Sequence, residues 1–332
     1  MSELPLSQTS QQTPMGLRHR IAYFPLSMFA IVMGLAGLAI AMKQAAVHFT
    51  LLQPIAGGIG VLTTFVFLFL SVTLAVRILH YGDKLLAEVN HPVQINFLPA
   101  ISISLLLLSV FWQAQSGYVF AVWCLGAALQ LLFTLFVVNQ WLYNPAVPIN
   151  TANPAWFIPA VGNIIVPLSG TYFGYLELSW FFFAIGIGFW VVLTAVILLR
   201  LFFHDPLPDK LKPTLFILLA PPSIGFIAYT NLVEELDGAA RILFYLAVFF
   251  ALFFASHVGR FLRLPFFLSS WAFSFPLAAL TIACFRMAEL SQVPFWRLLA
   301  MLLLVLLSVV VVILLLNTVF AYFKRTICVP EP

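Results

Sequence analysis

The chain has 332 residues, of which 63% are hydrophobic and only 8% charged, and its mean hydropathy is +1.08. Soluble globular proteins are about a quarter charged and roughly 45–50% apolar, so this much apolar surface cannot be hidden in a water-soluble core and lipid must be the solvent. The formal charge of +4 reflects flanking Lys and Arg that are ordinary in membrane proteins, and no basic-aromatic patch points to nucleic acid as a partner.

Residues 1–20 are polar and rich in Gln and Ser, and read as a disordered cytoplasmic tail. A helix needs roughly 20 apolar residues to cross a hydrocarbon core of about 30 Å. Ten windows meet that requirement, at about 24–42, 56–79, 95–112, 118–140, 154–171, 178–202, 213–231, 240–259, 267–285 and 298–323. Membrane strands would alternate over segments of about ten residues, whereas these runs are longer and apolar all round. The expected architecture is therefore all-α and integral to the membrane. One pore domain spans 21–325, and a short cytoplasmic tail covers 326–332. The three cysteines, Cys124, Cys284 and Cys328, share no metal-ligand spacing and read as unpaired thiols packed like small apolar residues.

Orientation follows from Lys and Arg in the loops. Eleven (Arg18, Arg20, Arg77, Lys84, Arg200, Lys210, Lys212, Arg260, Arg263, Lys324 and Arg325) fall on the side of the N-terminus, against four (Lys43, Arg241, Arg286 and Arg297) on the other. Both termini are then cytoplasmic, as an even number of crossings requires.

The prolines alternate. Every odd-numbered segment contains or begins with one (Pro25, Pro99, Pro159 with Pro167, Pro221 with Pro222, and Pro276), and no even-numbered window does. One helical hairpin separates successive prolines, so five hairpins in tandem is the economical reading. Proline removes a backbone hydrogen bond and bends a helix, and in a membrane the freed carbonyl must find a partner or line a cavity. Pro99, Pro159, Pro221, Pro222 and Pro276 are accordingly expected to mark kinks in four of five inner helices around an axis, with the proline-free helices outside them in contact with lipid.

No Asp, Glu, Lys, Arg or His lies inside an odd-numbered window. One at the bilayer centre costs about 2.5–3.5 kcal/mol on insertion scales and usually marks ion or proton coupling, so its absence argues against a proton-coupled pump. Neutral polar residues remain: Ser27, Ser102, Ser104, Asn163, Ser169, Ser223, Thr230, Ser270, Ser274 and Thr281. Hydroxyls and helix-end amides can hold a partly dehydrated anion weakly, although for any single serine interhelical packing is the commoner role. His257, near the cytoplasmic end of an outer helix, reads as an interfacial histidine rather than a catalytic one. No enzyme signature is present, neither HExxH nor paired carboxylates nor Gly-x-Ser-x-Gly nor a Walker lysine. No catalytic residue, metal or cofactor is expected, and Gly57-Gly58-Ile59-Gly60 reads as helix packing.

Five stretches carry a family resemblance. They are Phe24-Pro25-Leu26-Ser27-Met28-Phe29-Ala30, His91-Pro92 with Asn96-Phe97, Pro154-Ala155-Trp156-Phe157-Ile158-Pro159-Ala160, Ala220-Pro221-Pro222-Ser223, and Trp271-Ala272-Phe273-Ser274-Phe275-Pro276. Together they resemble the tellurite-resistance and dicarboxylate transporter family, which includes bacterial TehA-like proteins and the slow-type anion channels of plant guard cells. The resemblance implies five hairpins around a central pore, a homotrimer in a bacterial inner membrane, small inorganic anions and membrane lipid as partners, and Phe275 as the gate. It also implies that Ala30, Met33, Phe97, Ser223, Ala272 and Ala279 line the pore. One position departs from the family pattern: Ala30 stands where glycine is usual, and the added methyl is expected to tighten the closed pore or to shift the first helix. The expected function is a gated channel for chloride or nitrate. The alternative is a secondary transporter of dicarboxylates or tellurite-like oxyanions, which the charge-free inner helices disfavour.

Overall fold

A computed structural model describes residues 17–115, 117–144 and 148–329. Most of the expected 1–20 tail, and residues 330–332, lie outside them. Among the described residues there are fourteen α-helices and no strand, with 3-10 segments between them that run from three residues to the eleven of Asp209–Leu219. The helices are α1 (Leu17–Ala22), α2 (Phe29–Ala46), α3 (Leu52–His80), α4 (Gly82–Val89), α5 (Ala100–Trp112), α6 (Tyr118–Tyr143), α7 (Phe157–Val161), α8 (Val166–Gly170), α9 (Leu176–Phe203), α10 (Ala220–Val233), α11 (Gly238–Ser256), α12 (Val258–Phe261), α13 (Ser274–Ser291) and α14 (Pro294–Phe323).

With their 3-10 extensions, nine of these helices among the described residues are long and apolar enough to cross a membrane, and the tenth segment, Pro154–Gly170, is shorter. It is a relay of a 3-10 turn, α7, a second 3-10 turn and α8. A 3-10 residue rises about 2.0 Å against about 1.5 Å in an α-helix. The relay therefore reaches roughly 29 Å, close to the hydrocarbon thickness of about 30 Å.

Five antiparallel hairpins follow one another: α2 with α3, α5 with α6, α7–α8 with α9, α10 with α11, and α13 with α14. The first member of each touches the first member of the next (α2, α5, α8, α10, α13), and α13 returns to α2 to close a ring. Each outer helix lies in the groove between its own partner and the next inner helix, α14 between α13 and α2. Burial separates the two layers as expected: 72–78% of the central stretch in the four long inner segments, against 22–33% in the outer ones.

The prolines do not kink continuous helices. Pro25 precedes the 3-10 turn Leu26–Met28, Pro99 immediately precedes α5, Pro221 and Pro222 are the second and third residues of α10, and Pro276 is the third residue of α13. Except for Pro25, ahead of its 3-10 turn, and Pro159, inside the five-residue α7, they stand where a 3-10 entry becomes an α-helix. That is the first turn, where the missing N–H would have had no intrahelical partner and the fixed φ already suits the helix. Pro54 and Pro294, which the outer helices take in because they begin earlier than the windows implied, are first-turn prolines too.

Within the outer helices a narrow stripe is buried. In α3 it is Ala56, Gly60, Thr63, Phe67, Leu70, Leu74 and Arg77; in α14, Ala300, Leu304, Leu307, Val311, Leu314, Thr318 and Ala321. Steps of three and four keep these residues on one face. Lipid takes the opposite face, with Phe65, Leu68, Phe69 and Val72 of α3 exposed. Of the Gly57–Gly60 cluster only Gly60 packs: a Cβ there would fall 2.0 Å from the Phe111 ring, whereas Gly57 and Gly58 face open space. Cys284 and Cys328 are buried, but Cys124 on α6 is exposed and belongs to the lipid face.

Arg77, counted from sequence as a loop charge, is instead a buried anchor. Its guanidinium donates to the Ala22 carbonyl (3.1 Å), the Phe24 carbonyl (2.6 Å) and the Lys84 carbonyl (3.3 Å), and it pairs with Glu88 of α4. Glu88 Oε1 in turn accepts the Leu26 N–H at 2.8 Å. The pair fastens the entry of the first inner segment to α3 and α4, and satisfies an N–H that the first 3-10 turn leaves without a partner.

Removing one member of a buried pair leaves the other charge uncompensated, at a cost of about 3–5 kcal/mol. Glu88→Ala should therefore lower the thermal unfolding midpoint of the detergent-solubilised protein strongly, and Glu88→Gln less, because the amide oxygen still accepts from Leu26. Overpacking costs about 1–3 kcal/mol, so Gly60→Ala should be destabilising in the same measurement while Gly57→Ala and Gly58→Ala leave the midpoint in place.

Candidate functional site

Inside the ring lies a cavity of about 70 Å³ whose wall is almost wholly apolar. All five inner segments contribute to it, the first, third and ninth from their N-terminal halves and the other two from their middle. Ser27, Ala30, Phe97, Ala272 and Phe275 are partly exposed, and all five line the cavity. Met33, Pro221 and Pro276 line it as well.

Phe275 is the second residue of α13, and its surroundings are tightly set. Before it, Trp271 is 1% exposed and its indole N–H donates to Thr318 Oγ1 of α14 at 2.9 Å. Ser274 is fully buried, its hydroxyl donating to the Trp271 carbonyl at 2.6 Å. With both neighbours committed to packing, the ring of Phe275 is left toward the cavity. Two glycines of α2 let it come close to α13. A Cβ at Gly34 would fall 2.3 Å from Ser274 Oγ and 2.9 Å from the Trp271 ring, and one at Gly37 would fall 2.7 Å from Ala278 Cβ and 3.7 Å from Phe275 Cδ2. The close approach of α2 to α13 thus depends on residues 34 and 37. Ala30 lies at the cavity wall instead.

Other anticipated residues lie elsewhere. Ser223 is fully buried, donating to the Leu219 carbonyl at 2.8 Å, and Ala279 is 1% exposed; neither is part of the cavity lining. Pro99, Pro159 and Pro222 are likewise outside it. Most of the neutral polar residues are spent within the helix packing. Asn163 donates to Thr134 Oγ1 of α6 at 2.9 Å, Ser102 to Gln130 Oε1 at 2.7 Å, and Ser109 and Ser169 meet at 3.1 Å. Gln130 and Thr134 also donate to the Pro159 carbonyl, at 3.0 and 2.7 Å, so the broken fifth segment is held by side chains of an outer helix.

Sequence reading missed the aliphatic wall formed by Ile158, Val161, Ile165, Ile217 and Ile224. Nothing marks these among so many apolar residues. It also placed Lys43 and Arg286 in loops, whereas they lie within α2 and α13, near the far ends of the inner ring. Lys43 donates to the Phe111 carbonyl at 2.7 Å. Arg286 reaches Thr230 of α10 at 3.3 and 3.4 Å and Glu289 at 3.4 Å. The eleven residues from Phe275 to Arg286 are about three turns, so the two share a face roughly 16 Å apart along the helix. Among the described residues no group of His, Cys, Asp and Glu could hold a metal ion.

The sequence profile of the voltage-dependent anion channel family, SLAC1, matches residues 23–319. An uncharacterised transporter of Methanocaldococcus jannaschii is 31% identical over 290 residues, covering 78% of this chain and 82% of its own. The guard cell S-type anion channel SLAC1 of Arabidopsis thaliana is 26% identical over 277 residues, 80% of this chain and 50% of the plant protein. A tellurite resistance protein TehA homolog of Haemophilus influenzae is 28% identical over 265 residues, 77% and 79% of the two chains. A match that runs through all five hairpins, from the first inner helix into the last outer one, makes this multi-pass membrane protein a member of the SLAC1 family of voltage-dependent anion channels and related transporters.

Proposed function

We propose that the protein is a gated channel for small monovalent anions such as chloride or nitrate, with Phe275 as the gate. The observation that carries the reading is the apolar, charge-free cavity on the ring axis with Phe275 in its wall. Phe275 and the aliphatic side chains around it stand in the wall of this narrow cavity, and the conformation reads as the closed one. Passage requires the ring of Phe275 to turn aside and the anion to shed most of its water. Weakly hydrated monovalent ions do that most cheaply.

The sign of the permeant ion is supported by Lys43 and Arg286 at the far end of the inner ring, where a positive potential raises the local anion concentration. A dicarboxylate or tellurite-like oxyanion carries more charge and wants fixed cations where it rests, and no Lys or Arg lines the cavity. That reading, which the Haemophilus relative's name raises, becomes the outcome of a failed test. The eleven-to-four distribution of Lys and Arg supports cytoplasmic termini in a bacterial inner membrane. The family resemblance supports a homotrimer with one pore in each subunit.

Phe275→Ala, reconstituted in planar bilayers, should raise chloride and nitrate current at least about tenfold over the unsubstituted protein, equivalent to about 1.4 kcal/mol in the closed-to-open balance. Phe275→Leu should fall between the two. Silence of all three proteins, together with substrate-dependent exchange in liposomes, would establish the transporter instead.

A further inference from the structure

A second concavity lies in the loop that leads from α11 to the helix bearing Phe275. It is lined by Ser256, His257, Gly259, Arg260 and Arg263, none of which belongs to an inner segment. Arg260 and Arg263 are exposed, and among the described residues neither guanidinium has an ion pair or hydrogen bond. Every acidic side chain is missing from the lining. The His257 Nδ1 lies 2.9 Å from both the Phe253 carbonyl and the Ser256 hydroxyl, and among the described residues its Nε2 has no hydrogen-bond partner. The Ser256 hydroxyl already donates to the Phe253 carbonyl at 2.7 Å; two forked donors and an imidazole beside a glycine that lets a ligand approach the backbone are the groups that recognise a phosphate.

The surroundings point to the bilayer edge. Phe253, Val258 and Leu262 are apolar and 46%, 53% and 80% exposed, so acyl chains can lie beside the basic pocket. This loop is on the side where Lys and Arg concentrate, and juxtamembrane basic clusters on the cytoplasmic face attract anionic lipid.

The pocket is also wired to the ring. Between the two arginines stands Phe261, whose ring packs on Phe273 at 5.5 Å, on Phe254 at 6.1 Å and on Phe216 at 6.4 Å. Phe273 ends the 3-10 turn that enters α13, two residues before Phe275.

We propose that Ser256, His257, Gly259, Arg260 and Arg263 form a binding site for a phosphate group, carried by an anionic lipid headgroup or present as free phosphate, and that its occupancy is transmitted through Phe261 and Phe273 to the first turn of α13. Its consequence for conduction rests on Phe275 being the gate; the binding and its transmission do not.

Full-length protein in neutral detergent is titrated with dioctanoyl phosphatidylglycerol, inorganic phosphate and, as a zwitterionic control, dioctanoyl phosphatidylcholine. Saturable binding is expected, about tenfold weaker (about 1.4 kcal/mol) in Arg260→Gln/Arg263→Gln and unchanged in Arg297→Gln at the opposite membrane face. A response to phosphatidylglycerol alone identifies the headgroup; an equal response to inorganic phosphate identifies the free ion. Equal affinity in the double variant and the unsubstituted protein, or equal binding of phosphatidylcholine, overturns the site. For transmission, saturation should slow amide hydrogen exchange across Leu268–Phe275, and Phe261→Ala should keep the binding but lose that protection. Protection that survives in Phe261→Ala, or none in the unsubstituted protein, overturns the coupling. Neither readout uses current, so a silent Phe275→Ala channel would count against the gate alone.

Discussion

Ring closure constrains everything else in this molecule. Five hairpins laid side by side make an open sheet of helices unless the last inner helix can return to the first, and that seam has to be as close as the others. Here α2 and α13 meet where Gly34 faces Ser274 and Trp271, and where Gly37 faces Ala278. In lipid, helices gain little from hydrophobicity when they associate, and small residues at the contact supply van der Waals packing instead. The same seam orients the first turn of α13, because Trp271 is held on one side by α2 and on the other by Thr318 of α14. The position of Phe275 on the cavity wall is therefore a consequence of how the ring is shut.

Backbone satisfaction shapes the entrance to each inner segment. A 3-10 entry followed by an α-helix needs a residue that tolerates lacking an N–H partner, and proline at the start of the α portion meets that need. Where entries stay exposed to the interior, side chains fill in: Glu88 for Leu26, Gln130 and Thr134 for the Pro159 carbonyl. Hydroxyls and amides are mostly consumed in this way, and what is left to face the axis is mainly aliphatic and aromatic. An apolar, narrow pathway is thus the by-product of satisfying the backbone without water, and it explains why the polar residues that composition offered as ion ligands are mostly turned elsewhere.

The charges were easier to count than to place. Arg77 looks like any loop arginine because it follows a long apolar run, yet it is 3% exposed and ties three chain segments together. Lys43 and Arg286 look like loop residues because hydropathy windows stop at the first charge, while the helices continue past them to Ala46 and Ser291. Helix ends depend on capping and on where the chain must turn. Side chains long enough to reach a carbonyl on the next helix can stay helical at the membrane boundary.

By itself the sequence determined that lipid is the solvent, that the spans are helices, and that they come as five hairpins with proline-marked inner members. Each of these follows from local quantities: hydropathy summed over a window, and the position of a residue without an N–H. It also carried the motifs that point to the family and to Phe275. Tertiary structure alone decided which face of each outer helix is buried, since an all-apolar helix shows no amphipathic contrast and only small or polar residues such as Gly60, Thr63 and Thr318 betray the stripe. It decided as well that Ala30 and Phe275 share a cavity while Ser223 and Ala279 do not. A rotation of tens of degrees about a helix axis separates those outcomes, and that rotation is set by the neighbours across the ring, which no stretch of sequence contains.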